Sequence, residues 1–95
     1  MNTSKKINKP IVKLLCDISD PELMSLALNA LLSDKELDGV ENRLQIFRLL
    51  EKGATQRDIA SELGVGIATV TRGARFNKSS LRNESLVRQL IKLSS

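Results

Sequence analysis

The amino-acid sequence predicts an all-α fold of about six helices in a single domain, closed by a second copy of the chain into an intertwined homodimer. Apolar residues recur at helical spacing throughout, with no sustained alternation of period two. Start and stop signals divide that pattern into segments of ordinary helix length. One segment, LMSLALNALL from Leu23 to Leu32, is apolar except at Ser25 and Asn29. A helix so apolar must be surrounded by others, and 95 residues supply too little protein to surround it.

Each element has a local cause. Ile7, Ile11, Leu14, Leu15 and Ile18 share a helical stripe, and Pro10 is tolerated in the first turn, which places helix one over residues 9–18. Asp20, Pro21 and Glu22 combine a capping side chain, a first-turn proline and an acid at the positive end of the helix dipole. They open the apolar second helix. Ser33 to Glu36 matches the reciprocal capping box and starts an amphipathic third helix through Leu37, Val40, Leu44, Phe47 and Leu50, ending at Gly53. A short fourth helix opens at Thr55 and stops at Gly64, a fifth runs from Gly66 to Phe76, and a last one over residues 81–93 buries Leu86, Val87, Leu90 and Ile91. Residues 1–8 are a basic arm with no assigned partner, either touching phosphates or simply flexible.

Composition narrows the function classes. The chain has no His, Tyr or Trp and one Cys, so it lacks a base that titrates near neutral pH, a cysteine pair and a metal-ligand cluster. It also lacks a glycine-rich phosphate loop, and no enzyme or metal site is expected. The lone Cys16 reads as a small core residue in a reducing, cytoplasmic compartment. No apolar run approaches 18 residues and the first ten residues are polar, so neither a membrane span nor a secretory signal is expected. The net charge of +4 is unevenly spread: residues 14–41 hold seven acids and only Lys35. Between Glu62 and Glu84 the only charges are Arg72, Arg75, Lys78 and Arg82, a cationic stretch suited to a polyanion.

That stretch follows a recognisable motif. Gln56 to Arg72, QRDIASELGVGIATVTR, fits a helix-turn-helix over residues 55–76. Ala60 is small where two helices cross, Gly64 supplies a left-handed turn residue, and Ile59, Leu63, Val65 and Val70 pack the helices together. With Ile67 set at zero and about 100° per residue, Thr71, Arg75 and Ala68 fall within roughly 100° of it, an arc that would face a DNA major groove. Thr69, Arg72 and Gly73 fall on the other side. A glycine inside a helix costs roughly 1 kcal/mol relative to alanine, so Gly73 implies that something approaches the backbone there.

Gly66 to Gly73, GIATVTRG, resembles the recognition-helix signature of the Trp repressor family. The similarity continues in register through Gln56, Arg57, Glu62, Leu63 and Gly64, and more weakly back through Gly53 and Arg43 to Leu32 and Ser33. The resemblance implies an intertwined helical homodimer that binds operator double-stranded DNA when L-tryptophan is bound as corepressor, controlling tryptophan biosynthesis or uptake genes. It places the indole between Arg43 and Arg72, with Arg72 also holding the carboxylate; flat guanidinium groups stack well on ring faces. Thr69 and Gly73 would line the same pocket, and Leu32 and Ser33 would arrive from the other subunit. On the DNA side it implies phosphate or groove contacts from Gln56, Arg57, Gly66 and Lys78, with Ile67, Ala68 and Thr71 facing the bases; the helical arc adds Arg75. The chain departs from the family pattern in a loop one residue shorter before Gln56, in Ala60, in Ser33 for a threonine, and in Arg75 and Phe76.

Two other readings compete. A helix-turn-helix regulator of the same fold could bind DNA without a small molecule, leaving Arg43 and Arg72 as surface charges. A helical dimerisation module could instead offer its basic face to a protein.

Overall fold

Helix boundaries fall where local hydrogen bonds satisfy the free ends of the backbone. The computed structural model describes residues 9–94, so the basic arm of residues 1–8 lies outside the described residues. Six helices follow in order: α1 Pro10–Asp17, α2 Pro21–Leu31, α3 Asp34–Glu51, α4 Gln56–Leu63, α5 Ile67–Lys78 and α6 Leu81–Leu93, with no strand among the described residues. The all-α expectation holds, and every expected helix is present with its ends shifted by two residues at most.

The chain divides into two compact units, residues 1–37 and 38–95. In the first, Asp20 caps α2 by accepting the Leu23 amide at 3.1 Å, and Lys13 bridges to Asp17 at 2.8 Å along α1. Neither helix contains a buried residue. Leu23, Leu26 and Leu31 are 50–62% exposed. Cys16, expected in a core, is also exposed.

The α3 start carries the expected reciprocal cap. Ser33 Oγ accepts the Glu36 amide at 3.1 Å, and Glu36 Oε1 accepts the Ser33 amide at 2.8 Å. Hydrogen bonding from Ser33, foremost its backbone amide and then its side chain, favours the charged carboxylate and holds the Glu36 carboxyl below its ordinary value of 4.5.

The second unit is built around a small apolar cluster. Ile46 of α3, Ile59 of α4 and Val70 of α5 are essentially fully buried, with Leu49, Leu50, Ala54, Ala60, Leu63 and Val65 packed around them. Each such side chain contributes about 1.5–3 kcal/mol of burial. Two glycines turn the chain sharply enough to bring these helices together. Gly53, with φ 90°, ends α3 as its amide donates to Leu50 O at 3.0 Å and the Ala54 amide donates to Leu49 O at 3.1 Å, the paired bonds of a Schellman turn. Gly64, with φ 68°, ends α4, and the Val65 amide reaches Ala60 O at 3.1 Å. Thr55 caps α4 through the Asp58 amide, and Ser80 caps α6 through the Asn83 amide.

Two details of the expected core differ. Ile46 is the α3 anchor, whereas Val40 of the expected stripe is 58% exposed. On α6 only Val87 is buried, while Leu86 and Leu90 stay more than 40% exposed and Ile91 is half-buried. In both cases the apolar stripe is wider than the surface that this chain itself can cover.

The Glu36 cap predicts a pH dependence with a definite sign. Because its folded-state value is lowered, its stabilising effect is complete above about pH 4.5 and disappears as pH falls through the lower, folded value. Thermal unfolding followed by circular dichroism should therefore show a steeper loss of stability below pH 4.5 for the native chain than for Glu36→Gln. Identical pH profiles would contradict the cap.

Candidate functional site

The turn between α4 and α5 delivers the helix-turn-helix as expected. Gly66 caps α5 in extended backbone with no side chain of its own, so the first turn of α5 projects without obstruction. Ile67 is 51% exposed, Ala68, Arg57 and Arg75 are exposed, and Thr71 is half-buried. Arg75 and Lys78 occupy the last turn of α5, where cations also favour the negative end of the helix dipole.

Four of the expected DNA-contacting residues converge. Gln56, Thr71, Arg75 and Lys78, with Ala74 and Ser79, line an open cleft of about 370 Å³ between the start of α4 and the outer face of α5. Thr71 donates its hydroxyl proton to Gln56 Oε1 at 2.7 Å, which ties the two helices across the cleft mouth. Sequence periodicity puts Thr71 and Arg75 on one side of α5, and the family resemblance adds Gln56 and Lys78, but neither carries a sign of that bond. The arrangement offers two cations and a helix start to an anionic backbone, the chemistry of phosphate positioning.

The rear of α5 is different. Gly73 is buried, and a Cβ built on it would lie 2.9 Å from Ile46 Cγ2 and 3.9 Å from Phe47 Cε1. The approach to the backbone implied by Gly73 is therefore made, within this chain, by Ile46. Close by, Arg43 lays its guanidinium over two rings, 5.6 Å from the Phe47 centroid and 5.5 Å from the Phe76 centroid. The rings themselves are 5.9 Å apart and tilted by 38°. They are the chain's only aromatic side chains.

Arg43, Phe47 and Phe76 form one end of an apolar groove of about 560 Å³, completed by Val40, Leu44, Leu86, Leu90, Leu93 and Ser94. Arg48 holds the end of α6 against α3 through its Nη1, which donates to Ser94 O at 3.4 Å and Ser94 Oγ at 3.3 Å. The volume lies within the range of about 300–1,000 Å³ typical of small-molecule sites, and an apolar wall beside a planar cation suits an aromatic carboxylate. Of the expected ligand residues, Arg43 lies in this groove, whereas Arg72, exposed, and Thr69, half-buried, are outside its lining. Leu32 and Ser33 belong to the first unit, where Leu32 is half-buried and Ser33 caps α3. The expected set missed Phe76, although continuing the same helical wheel puts it at about 180°, on the face of Thr69, Arg72 and Gly73.

Among the described residues no group of side chains could hold a metal ion, and no helix is long and apolar enough to cross a membrane. A six-helix chain whose fourth and fifth helices form a basic helix-turn-helix is a DNA-binding transcription regulator in class. Comparison with known proteins gives the family. Residues 8–90 match the family model described as Trp repressor protein. A Trp operon repressor homolog of Xylella fastidiosa strain M23 is 37% identical over 65 residues, covering 67% of this chain and 71% of the relative. Homologs of the same name are 37% identical over 75 residues in Vibrio parahaemolyticus, covering 78% and 73%, and 39% identical over 70 residues in Vibrio campbellii, covering 73% and 70%. No solved structure gives a significant match. The chain belongs to the Trp repressor family.

Two predictions follow the two faces of α5. Gly73→Ala should destabilise the fold by about 1–3 kcal/mol, since Ile46 is β-branched and buried and cannot retreat cheaply. In a double-mutant cycle by urea unfolding, the penalty should shrink in an Ile46→Ala background; additive effects would show that the two do not meet. On the outer face, Lys78→Ala should flatten the dependence of log K for DNA on log salt by about 0.9, the contribution of one neutralised phosphate. An unchanged slope in fluorescence-anisotropy titrations would remove Lys78 from the interface.

Proposed function

We propose that this protein is a transcriptional repressor that binds operator DNA as a homodimer when L-tryptophan is bound, and so controls tryptophan biosynthesis or uptake genes in the cytoplasm. The observation that carries the reading is the division of α5 into two faces with different chemistry. Its outer face meets a cleft lined by Gln56, Thr71, Arg75 and Lys78, and its rear face sets Phe76 in the Arg43 groove, with Arg72 on the same side by helical position. Family membership and the names of the relatives support the repressor role and its amino acid. The uncovered apolar residues of α2 support a second copy, which would also allow the whole chain to serve as one domain.

L-tryptophan would supply a rigid apolar plate and a carboxylate. Arg43 and Arg72 are the residues suited to hold it, by stacking and by a charge-assisted hydrogen bond, with Thr69 and Gly73 beside them and Leu32 and Ser33 contributed by the second copy. Both arginines lie on elements that position the reading face, Arg43 on α3 and Arg72 on α5. A guest held by both would fix the tilt of α5, so that two copies of Ile67, Ala68 and Thr71 meet successive major grooves about 34 Å apart. Arg57, Gly66 and Arg75 complete the set of duplex contacts.

A second reading, DNA binding without a small molecule, is favoured by one observation. Arg43 is already stacked on Phe47 and Phe76, and the notch at Gly73 is already filled by Ile46. One experiment separates the two. Because the chain has neither Trp nor Tyr, the fluorescence of added L-tryptophan reports its own environment. Saturating protein should shift that emission, Arg72→Ala should abolish the shift, and L-tryptophan should tighten binding to a promoter fragment of a tryptophan biosynthesis gene. An unshifted emission with undiminished DNA binding would establish the ligand-independent reading instead.

A further inference from the structure

Arg43 is an exposed cation that has no ion pair among the described residues, yet it is not idle. Its guanidinium sits 5.5 Å from one ring and 5.6 Å from another, both within the roughly 6 Å over which a ring face attracts a cation. The two rings differ in what else they do. Phe47 is buried, 6% exposed, and belongs to the packing of α3 against α5. Phe76 is half-buried at the end of the groove, and its backbone is pinned rather than its ring: its carbonyl accepts from Ser79 Oγ at 2.8 Å and from Asn83 Nδ2 at 3.2 Å. Asn83 also bonds Ser79 Oγ at 2.6 Å, so the α5–α6 corner holds the Phe76 Cα in place while its side chain stands in the groove.

We infer that Phe76 is a specificity-determining residue of the aromatic site, a built-in competitor whose ring occupies the cation face of Arg43 until an aromatic ligand takes it. The inference rests on the reading of Arg43 as a ligand clamp. The ring of Phe76 offers the guanidinium the same kind of face that an aromatic amino acid offers, and one side of a planar cation cannot stack on both at once. A ligand that takes this face must displace Phe76 from Arg43, and its apparent affinity is reduced by the fraction of molecules in which the face is taken. The device favours guests whose ring attracts a cation more strongly than a phenyl ring does. Indole meets that condition, and an aliphatic amino acid of similar size does not.

The test is titration of free L-tryptophan, followed by its own emission, with the full-length native chain and with Phe76→Leu and Phe76→Tyr. Leucine keeps an apolar side chain in the groove without a ring face, and tyrosine keeps the ring. With a cation–π contact at an exposed site as the competitor, Phe76→Leu should bind L-tryptophan roughly 2–5-fold more tightly than the native chain, and Phe76→Tyr should match the native value. Tighter binding by Phe76→Leu when the native chain shows none would also support the inference. Equal or weaker binding by Phe76→Leu, with a native chain that binds, would overturn it while leaving the ligand-dependent reading intact. Absence of binding in all three chains would sink that reading and the inference with it. Circular dichroism melts of the three chains ensure that the comparison is made between folded proteins.

Discussion

The contact on which the arrangement depends is Ile46 seated against Gly73. It lets α3 and α5 approach more closely than any side chain at position 73 would allow, since a Cβ there would stand 2.9 Å from Ile46 Cγ2. Both partners are buried, and the same cluster contains Ile59 and Val70, which fix α4 against α5. The orientation of the helix-turn-helix relative to α3 is thus set by a single close crossing. Two side chains of opposite purpose follow from it: Thr71 and its neighbours turn outward to the basic cleft, while Phe76 turns to the rear and meets Arg43.

Much of this could be read from the residues alone, and for identifiable reasons. Caps and stops are local chemistry, so Asp20, Ser33, Thr55, Gly53 and Gly64 located the helix ends almost to the residue. The helix-turn-helix is also local, built from residues close in sequence, and its packing set of Ile59, Leu63, Val65 and Val70 lies where periodicity puts it. Gly73 signalled a close approach, but the sequence could not say what approached. A glycine opposite an isoleucine 27 positions earlier is a long-range pairing with no local signature.

The same limit explains the residues that periodicity misjudged. Apolar spacing on α1, α2 and α6 marks faces that avoid water without saying which molecule covers them, and a single chain leaves Leu23, Leu26 and Leu86 exposed. Arg43 is a different case, since its expected role as a ligand-stacking cation comes from the family resemblance and not from periodicity. Its actual neighbours, Phe47 and Phe76, come from two helices whose meeting is tertiary. The departure of Phe76 from the family pattern was visible, and its meaning lay in the partner.

The bond between Thr71 and Gln56 has its own consequence for the cleft that they line. With one lone pair of its carbonyl oxygen taken by the threonine hydroxyl, the glutamine amide keeps both NH₂ hydrogens and a single acceptor site. A side chain that is ordinarily indifferent between giving and receiving is thereby biased toward giving. Orientation of one amide thus tilts what that corner of the cleft presents toward hydrogen-bond donors.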